Sequence, residues 1–159
     1  MNIYTKRVSL YELKLYKIAA NGNCVPQIIE IVSINDKYDL ITERYPDTLF
    51  DLFHNKSRTE ELKVALNYSK DVLAELHKLD ILHDDISEEN IVYNANTRKI
   101  IFIDFDMSKK ISKLRDIDVN YYQDLFYESI HYAGDQSPTI DYVLRLKYGC
   151  IDFLLAHIK

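Results

Sequence analysis

Three residues in the stretch "ILHDDISEENIVYNANTRKIIFIDFDMSKK", Ile81 to Lys110, have the types and spacing to do chemistry. Asp85 and Asn90 share one short polar segment, and Asp104 ends a run of Ile and Phe. A carboxylate and a carboxamide are hard oxygen donors of the kind Mg²⁺ prefers. That ion keeps several waters and often shares its shell with phosphates. A second carboxylate just outside the shell can orient a hydroxyl and accept its proton. Taken singly, each residue has an ordinary explanation, because Asp and Asn bond nearby backbone groups and favour turns and caps. Taken together, they favour a site for a metal ion and phosphate.

The flanking segments must position these groups. "IVYN" and "KIIFIDF" read as two strands around a turn at Asn94–Thr97. Pairing them brings Asn90 and Asp104 to the same end of a hairpin, with Asp85 one loop away. Upstream, Leu62, Ala65, Leu66, Val72, Leu73, Leu76 and Leu79 form one apolar stripe at helical spacing. Ser57 and Glu60 fit a capping box at its start, and the helix should end near Leu79. Residues 8–20 also have helical spacing, stopped by Asn21-Gly22-Asn23. Runs at 28–34 and 38–42 read as strands around Asn35-Asp36-Lys37, and 47–54 as a short helix beginning at Asp47. Beyond Lys110, "DVNYYQDLFYESIHYA" and the segment from Ile140 read as two further helices. With no repeat, low-complexity segment or linker, the reading is one α+β domain over 1–159, dominated by helix.

Composition excludes several classes. A net charge of −5 argues against direct nucleic-acid binding. Hydrophobic content of 47% with 28% charged residues is that of a globular chain rather than a disordered one. No apolar run is long enough for a membrane span. "MNIYTKRVSLYELK" lacks the apolar core of a secretory signal. Cys24 and Cys150 form no C-x-x-C pair. The expectation is a reduced, cytoplasmic protein with no membrane partner. Richness in Tyr, Ile, Asn and Lys, whose codons are A/T-rich, hints at a viral source and hence a host cytoplasm. His54, His77, His131 and His157 show no metal spacing and read as surface or helix-end residues. Lys109, Lys110, Lys113 and Arg115 read as a solvated loop.

"HDDISEEN" followed by "DFD" resembles the protein-kinase catalytic loop H-R-D-x-x-x-x-N and the metal-binding D-F-G. The resemblance makes Asp85 the catalytic base, Asn90 the second metal ligand and Asp104 the main one, with His83 and Phe105 packed beneath. "YELKLYKIAANGNCVPQIIEI" resembles helix C and the fourth strand, placing Glu12 at the helix-C glutamate. "DLITERYPDTLFDLF" resembles the fifth strand, hinge and helix D. Thr42 would then be the gatekeeper, and the backbone of Glu43 and Tyr45 would meet adenine. "DVNYYQDLFYESI" resembles helix F, with Asp118 anchoring the catalytic loop. The order holds from about residue 8 to 130. It implies a single kinase-like domain, with a reduced N-lobe and hinge at 1–45 and a C-lobe at 46–159, using ATP and Mg²⁺.

The departures set what the resemblance implies about activity. Asp84 replaces the arginine that normally receives a phosphate from the activation segment, so control by such phosphorylation is not expected. Ser87 stands where serine/threonine kinases carry lysine, Asp106 replaces the glycine of D-F-G, and there is no A-P-E. These features resemble the small atypical kinases of the KEOPS complex, or antibiotic and choline phosphotransferases, more than regulated signalling kinases. No glycine precedes Gly22, so no glycine-rich loop covers the phosphates, and "MNIYTKR" offers only a stub of the third strand. Lys6 is the candidate phosphate-pairing lysine, at a spacing from Glu12 that is short for a strand followed by a helix turn. Two functions are implied. One is a minimal phosphotransferase acting on a protein Ser/Thr or small-molecule hydroxyl. The other is a pseudokinase or kinase-lobe mimic that binds another kinase or complex.

Overall fold

The structure is a computed structural model that describes residues 2–114 and 140–158. It opens with strand β1 (Ile3–Val8), which passes directly into helix α1 (Leu10–Asn21). Ser9 makes the junction: its hydroxyl accepts the backbone N–H of Glu12 at 3.1 Å, satisfying a donor that the first helical turn leaves open. β1 thus takes Val8 from the helix expected over 8–20, and Ser9 becomes its cap. The supposed stub is a fully paired strand of six residues. β2 (Ile28–Ile34) and β3 (Lys37–Glu43) form a hairpin. Its turn residues Asn35 and Asp36 have φ of 49° and 59°, the left-handed values of a tight hairpin turn. The antiparallel order is β1-β3-β2.

A two-residue strand β4 (Asp47–Thr48) leads into the short helix α2 (Leu49–Phe53). Asp47 does not start this helix as expected, because it pairs with Tyr93 in the sheet. Thr48 is the cap: its hydroxyl accepts from Asp51 N–H at 3.1 Å, and the Asp51 carboxylate accepts from Thr48 N–H at 2.7 Å. The Ser57–Glu60 capping box is also not formed. Asn55 Oδ1 instead accepts from the Ser57 N–H and hydroxyl, starting a 3₁₀ turn at Lys56–Arg58. Helix α3 (Thr59–Lys78) follows it, and no side chain caps its start. Its stripe is buried as expected at Leu62, Ala65, Leu66, Leu73 and Leu76.

Strand β5 (Ile81–Leu82) pairs with β8 (Lys109–Lys110). β6 (Ile91–Asn94) and β7 (Lys99–Phe102) form the expected hairpin, with β4 on its outer side. β7 stops at Phe102, so "IDF" lies outside the ladder it was expected to join. Helix α4 (Ile140–Ala156) packs on α3. One core joins the parts: Leu15 and Ala19 of α1, Leu73 and Leu76 of α3, Ile91, Phe102 and Phe105, and Ile151 of α4. Each large apolar side chain buried there is worth about 1.5–3 kcal/mol. The sheets are also joined through backbone, where Phe102 N–H donates to the Cys24 carbonyl at 3.0 Å. The architecture is α+β with small antiparallel sheets. Among the described residues, no helix is long and apolar enough to cross a membrane. The helix expected at 118–133, with Asp118, lies outside the described residues, as does Arg115.

Candidate active site

The loop between β5 and β6 is organised by His83, which is fully buried. Its Nε2 lies 2.9 Å from the Ile103 carbonyl, and Asp85 N–H donates to its Nδ1 at 3.3 Å. One ring nitrogen must therefore donate while the other accepts, which requires the neutral imidazole. Burial holds its pKa below the ordinary value, outweighing the Ile103 carbonyl and Asp85 charge that favour protonation. The ring packs between Phe102 and Phe105, with centroids 5.2 and 4.9 Å away. Phe105 also meets Tyr16 of α1 edge-on at 5.8 Å. His83 thus fixes the backbone of Asp85 against the residue preceding Asp104.

Asn90 closes the loop from the other end. Its Nδ2 donates to the Asp85 carbonyl at 3.0 Å and to Asp85 Oδ2 at 2.9 Å. This commits the amide nitrogen to Asp85 and makes the amide oxygen the atom a cation would take. Ile103 N–H donates to the Asn90 carbonyl at 2.9 Å, extending the hairpin by one bond and placing Asp104 beside Asn90. Asp104 then leaves the ladder with φ of 62°, a left-handed value unusual outside glycine.

Lys6 reaches this carboxylate from β1. Its Nζ lies 2.7 Å from Asp104 Oδ1 and 2.7 Å from Glu12 Oε1. The short spacing between Lys6 and Glu12 suffices because Ser9 turns strand into helix with no loop between. Burial alone would lower the Lys6 pKa, but bonds to Asp104 and Glu12 outweigh it and raise it. Burial would likewise raise Asp104, and the bond and charge of Lys6 reverse that, holding its carboxyl below the usual value. Glu12 is almost wholly buried, so its ion pair with Lys6 is largely shielded from solvent.

These groups share one cleft of about 310 Å³. Lys6, Glu12, Thr42, Glu43, Tyr45, Asn90 and Asp104 all line it. Asp85 does not line it: it is exposed at one side, joined to the cleft through Asn90. The backbone after β3 is partly engaged, with Glu43 N–H donating to the Gln27 carbonyl at 3.0 Å and Arg44 N–H to the Asn2 carbonyl at 2.9 Å. Burial pushes the Tyr45 phenol up to about 12, and Glu43 adds to the effect. Among the described residues, no group of three or more His, Cys, Asp or Glu is placed to hold a metal. Asp104 and Asn90 supply two hard oxygen donors. That set fits Mg²⁺ where phosphate and water complete the shell.

Three features escaped the sequence reading. Tyr4, Thr48 and Asp51 line the cleft; the spacing of Thr48 and Asp51, a second capping-box pattern, was the available signal for the last two. Asp84, read only as a missing arginine, is nearly buried and paired with Lys147 of α4 at 2.6 Å and Lys109 of β8 at 3.2 Å. Lys109 is thus not part of a solvated loop, and Lys110 lies 3.9 Å from Asp80. His77, read as a surface or helix-end residue, does stand in the last turn of α3, but its ring packs edge-on against Tyr148 of α4 at 5.4 Å. No protein-family model matches the chain.

Proposed function

We propose that the chain is a minimal protein-kinase-like phosphotransferase that uses Mg–ATP and delivers phosphate to a Ser/Thr or small-molecule hydroxyl. The observation that carries this reading is that the linked groups Glu12–Lys6–Asp104 and the amide of Asn90 line a single cleft, with Asp85 bonded to Asn90 just outside it. The three segments likened to the third, fourth and fifth kinase strands also lie in one sheet over that cleft.

Lys6, fixed by the buried Glu12, presents positive charge to phosphate oxygens. Asp104 and Asn90 would hold Mg²⁺, which when bound neutralises phosphate charge. Asp85 has one carboxylate oxygen tied to Asn90, so the group is pre-oriented to take the proton of an incoming hydroxyl. His83 holds the Asp85 backbone while staying neutral. The rate gain comes from positioning and charge neutralisation, with no covalent intermediate on the protein.

The alternative, a pseudokinase or kinase-lobe mimic that binds another kinase or complex, draws on one feature: Asp85 is exposed and lies outside the cleft. A thermal-shift titration with ATP and Mg²⁺, followed by transfer of labelled γ-phosphate in wild type, Asp85→Ala and Asp104→Ala, separates the two. The phosphotransferase reading expects stabilisation by nucleotide and loss of transfer in both variants. No shift, or equal incorporation in all three proteins, rejects it.

A further inference from the structure

We propose that Tyr4 forms the roof of a purine site, its ring stacking on the base of a nucleotide whose phosphates reach Lys6. The inference rests on the nucleotide-binding reading above and adds the residue that would distinguish a nucleotide from a bare polyphosphate. Tyr4 and Lys6 are alternate residues of β1, so they share one face of the strand, about 7 Å apart along it. Their cross-strand partners are Thr42 and Leu40. Directly paired residues also share a face, and all four line the cleft. The same strand face therefore offers a flat ring and a cation side by side.

The opposite wall suits a base. Val92 and Ile103 line it, backed by the apolar cluster that Val92 forms with Tyr45 and Ile101. Of the three tyrosines lining the cleft, Tyr16 and Tyr45 are 5% and 9% exposed, so their rings are committed to packing. Tyr4 is 48% exposed. A half-open aromatic that shares a cleft with apolar side chains is a candidate stacking platform, and every nucleobase has a π-face to offer it. The ring is also removable. It lies on an edge strand and is absent from the core cluster, so its loss leaves the packing beneath untouched.

The test is calorimetric titration of the full chain with ATP and, separately, with inorganic tripolyphosphate, both with Mg²⁺, in wild type, Tyr4→Leu and Tyr4→Phe. Tyr4→Leu should weaken ATP binding roughly 5- to 150-fold, the range for losing one base–aromatic stack, and leave tripolyphosphate unchanged. Tyr4→Phe, which keeps the ring, should bind ATP as wild type does. Equal or tighter ATP binding by Tyr4→Leu overturns the proposal, the tighter case meaning that the ring obstructs the cleft. Loss of both ligands in Tyr4→Leu also overturns it, because a stacking ring does not hold phosphate. Wild type that binds ATP no better than tripolyphosphate removes the purine site alone. Wild type that binds neither removes the nucleotide-binding reading with it.

Discussion

Replacing Asp84 with Asn should unfasten the Asp85 loop from two distant elements. The Asp84 side chain is 9% exposed, with Lys147 at 2.6 Å, itself 12% exposed, and Lys109 at 3.2 Å, 37% exposed. Removing one member of a buried ion pair costs about 3–5 kcal/mol, because the remaining charge stays desolvated. The Lys147 pair approaches that limit. The Lys109 pair is screened by solvent and contributes under about 1 kcal/mol. A loss of about 3 kcal/mol follows, which for a chain of this length lowers the melting temperature by about 6–12 °C. Denaturant unfolding of wild type, Asp84→Asn, Lys147→Met and the double variant measures the coupling. Lys147→Met should cost less once Asp84 is neutral than it does alone, giving a coupling of about 2 kcal/mol. Hydrogen exchange at the 85–90 amides should quicken in Asp84→Asn beyond the global change. A melting temperature within a degree or two of wild type, or strictly additive single effects, would refute the reasoning.

His77 makes the interface of α3 and α4 acid-sensitive. Burial, and then the charge of Lys147, lower its pKa from 6.5 to about 4, and its Nε2 has no hydrogen-bond partner among the described residues. Because the unfolded chain protonates first, stability is complete above pH 6.5 and falls as pH drops toward 4, by up to about 3 kcal/mol. The difference between urea-unfolding curves of wild type and His77→Phe across that window should trace this loss; parallel curves would contradict it. Lys6→Met leaves the buried Glu12 carboxylate without its cation and should destabilise the fold by about 3 kcal/mol, most of it recovered by adding Glu12→Met. The same change removes the charge that lowers Asp104, so the Asp104 carboxyl should titrate higher by NMR, because burial then acts without the opposing cation. The acid-side loss of stability that Asp104 contributes as pH falls through its lowered pKa should shrink in step.

Much of the frame was legible because period and turn chemistry are local. The α3 stripe, the Asn35-Asp36 hairpin and the β6–β7 hairpin each announce themselves within one continuous stretch of chain. The gathering of Asn90 and Asp104 followed from hairpin register alone. Helix starts were less legible. Ser57 and Thr48 both fit a capping box, and only the strand pairing of Asp47 and the Asn55 side chain decide which of them forms one. Lys6 looked too near Glu12 until Ser9 was seen to join strand and helix without a loop. The partners of Asp84 could not be read at all: Lys147 lies 63 positions away, and nothing in either local pattern marks the contact. Tyr4 was hidden for a similar reason, since the strand face it shares with Lys6 depends on pairing with β3.

The left-handed backbone at Asp104 sets local conformational preference against the contact its carboxylate makes with Lys6. A residue with a Cβ is held there at a cost of order 1 kcal/mol, which glycine would relieve. Glycine would also delete the carboxylate that meets Lys6. Backbone relief and the Lys6 contact therefore pull this one position toward different residues, glycine for the first and aspartate for the second.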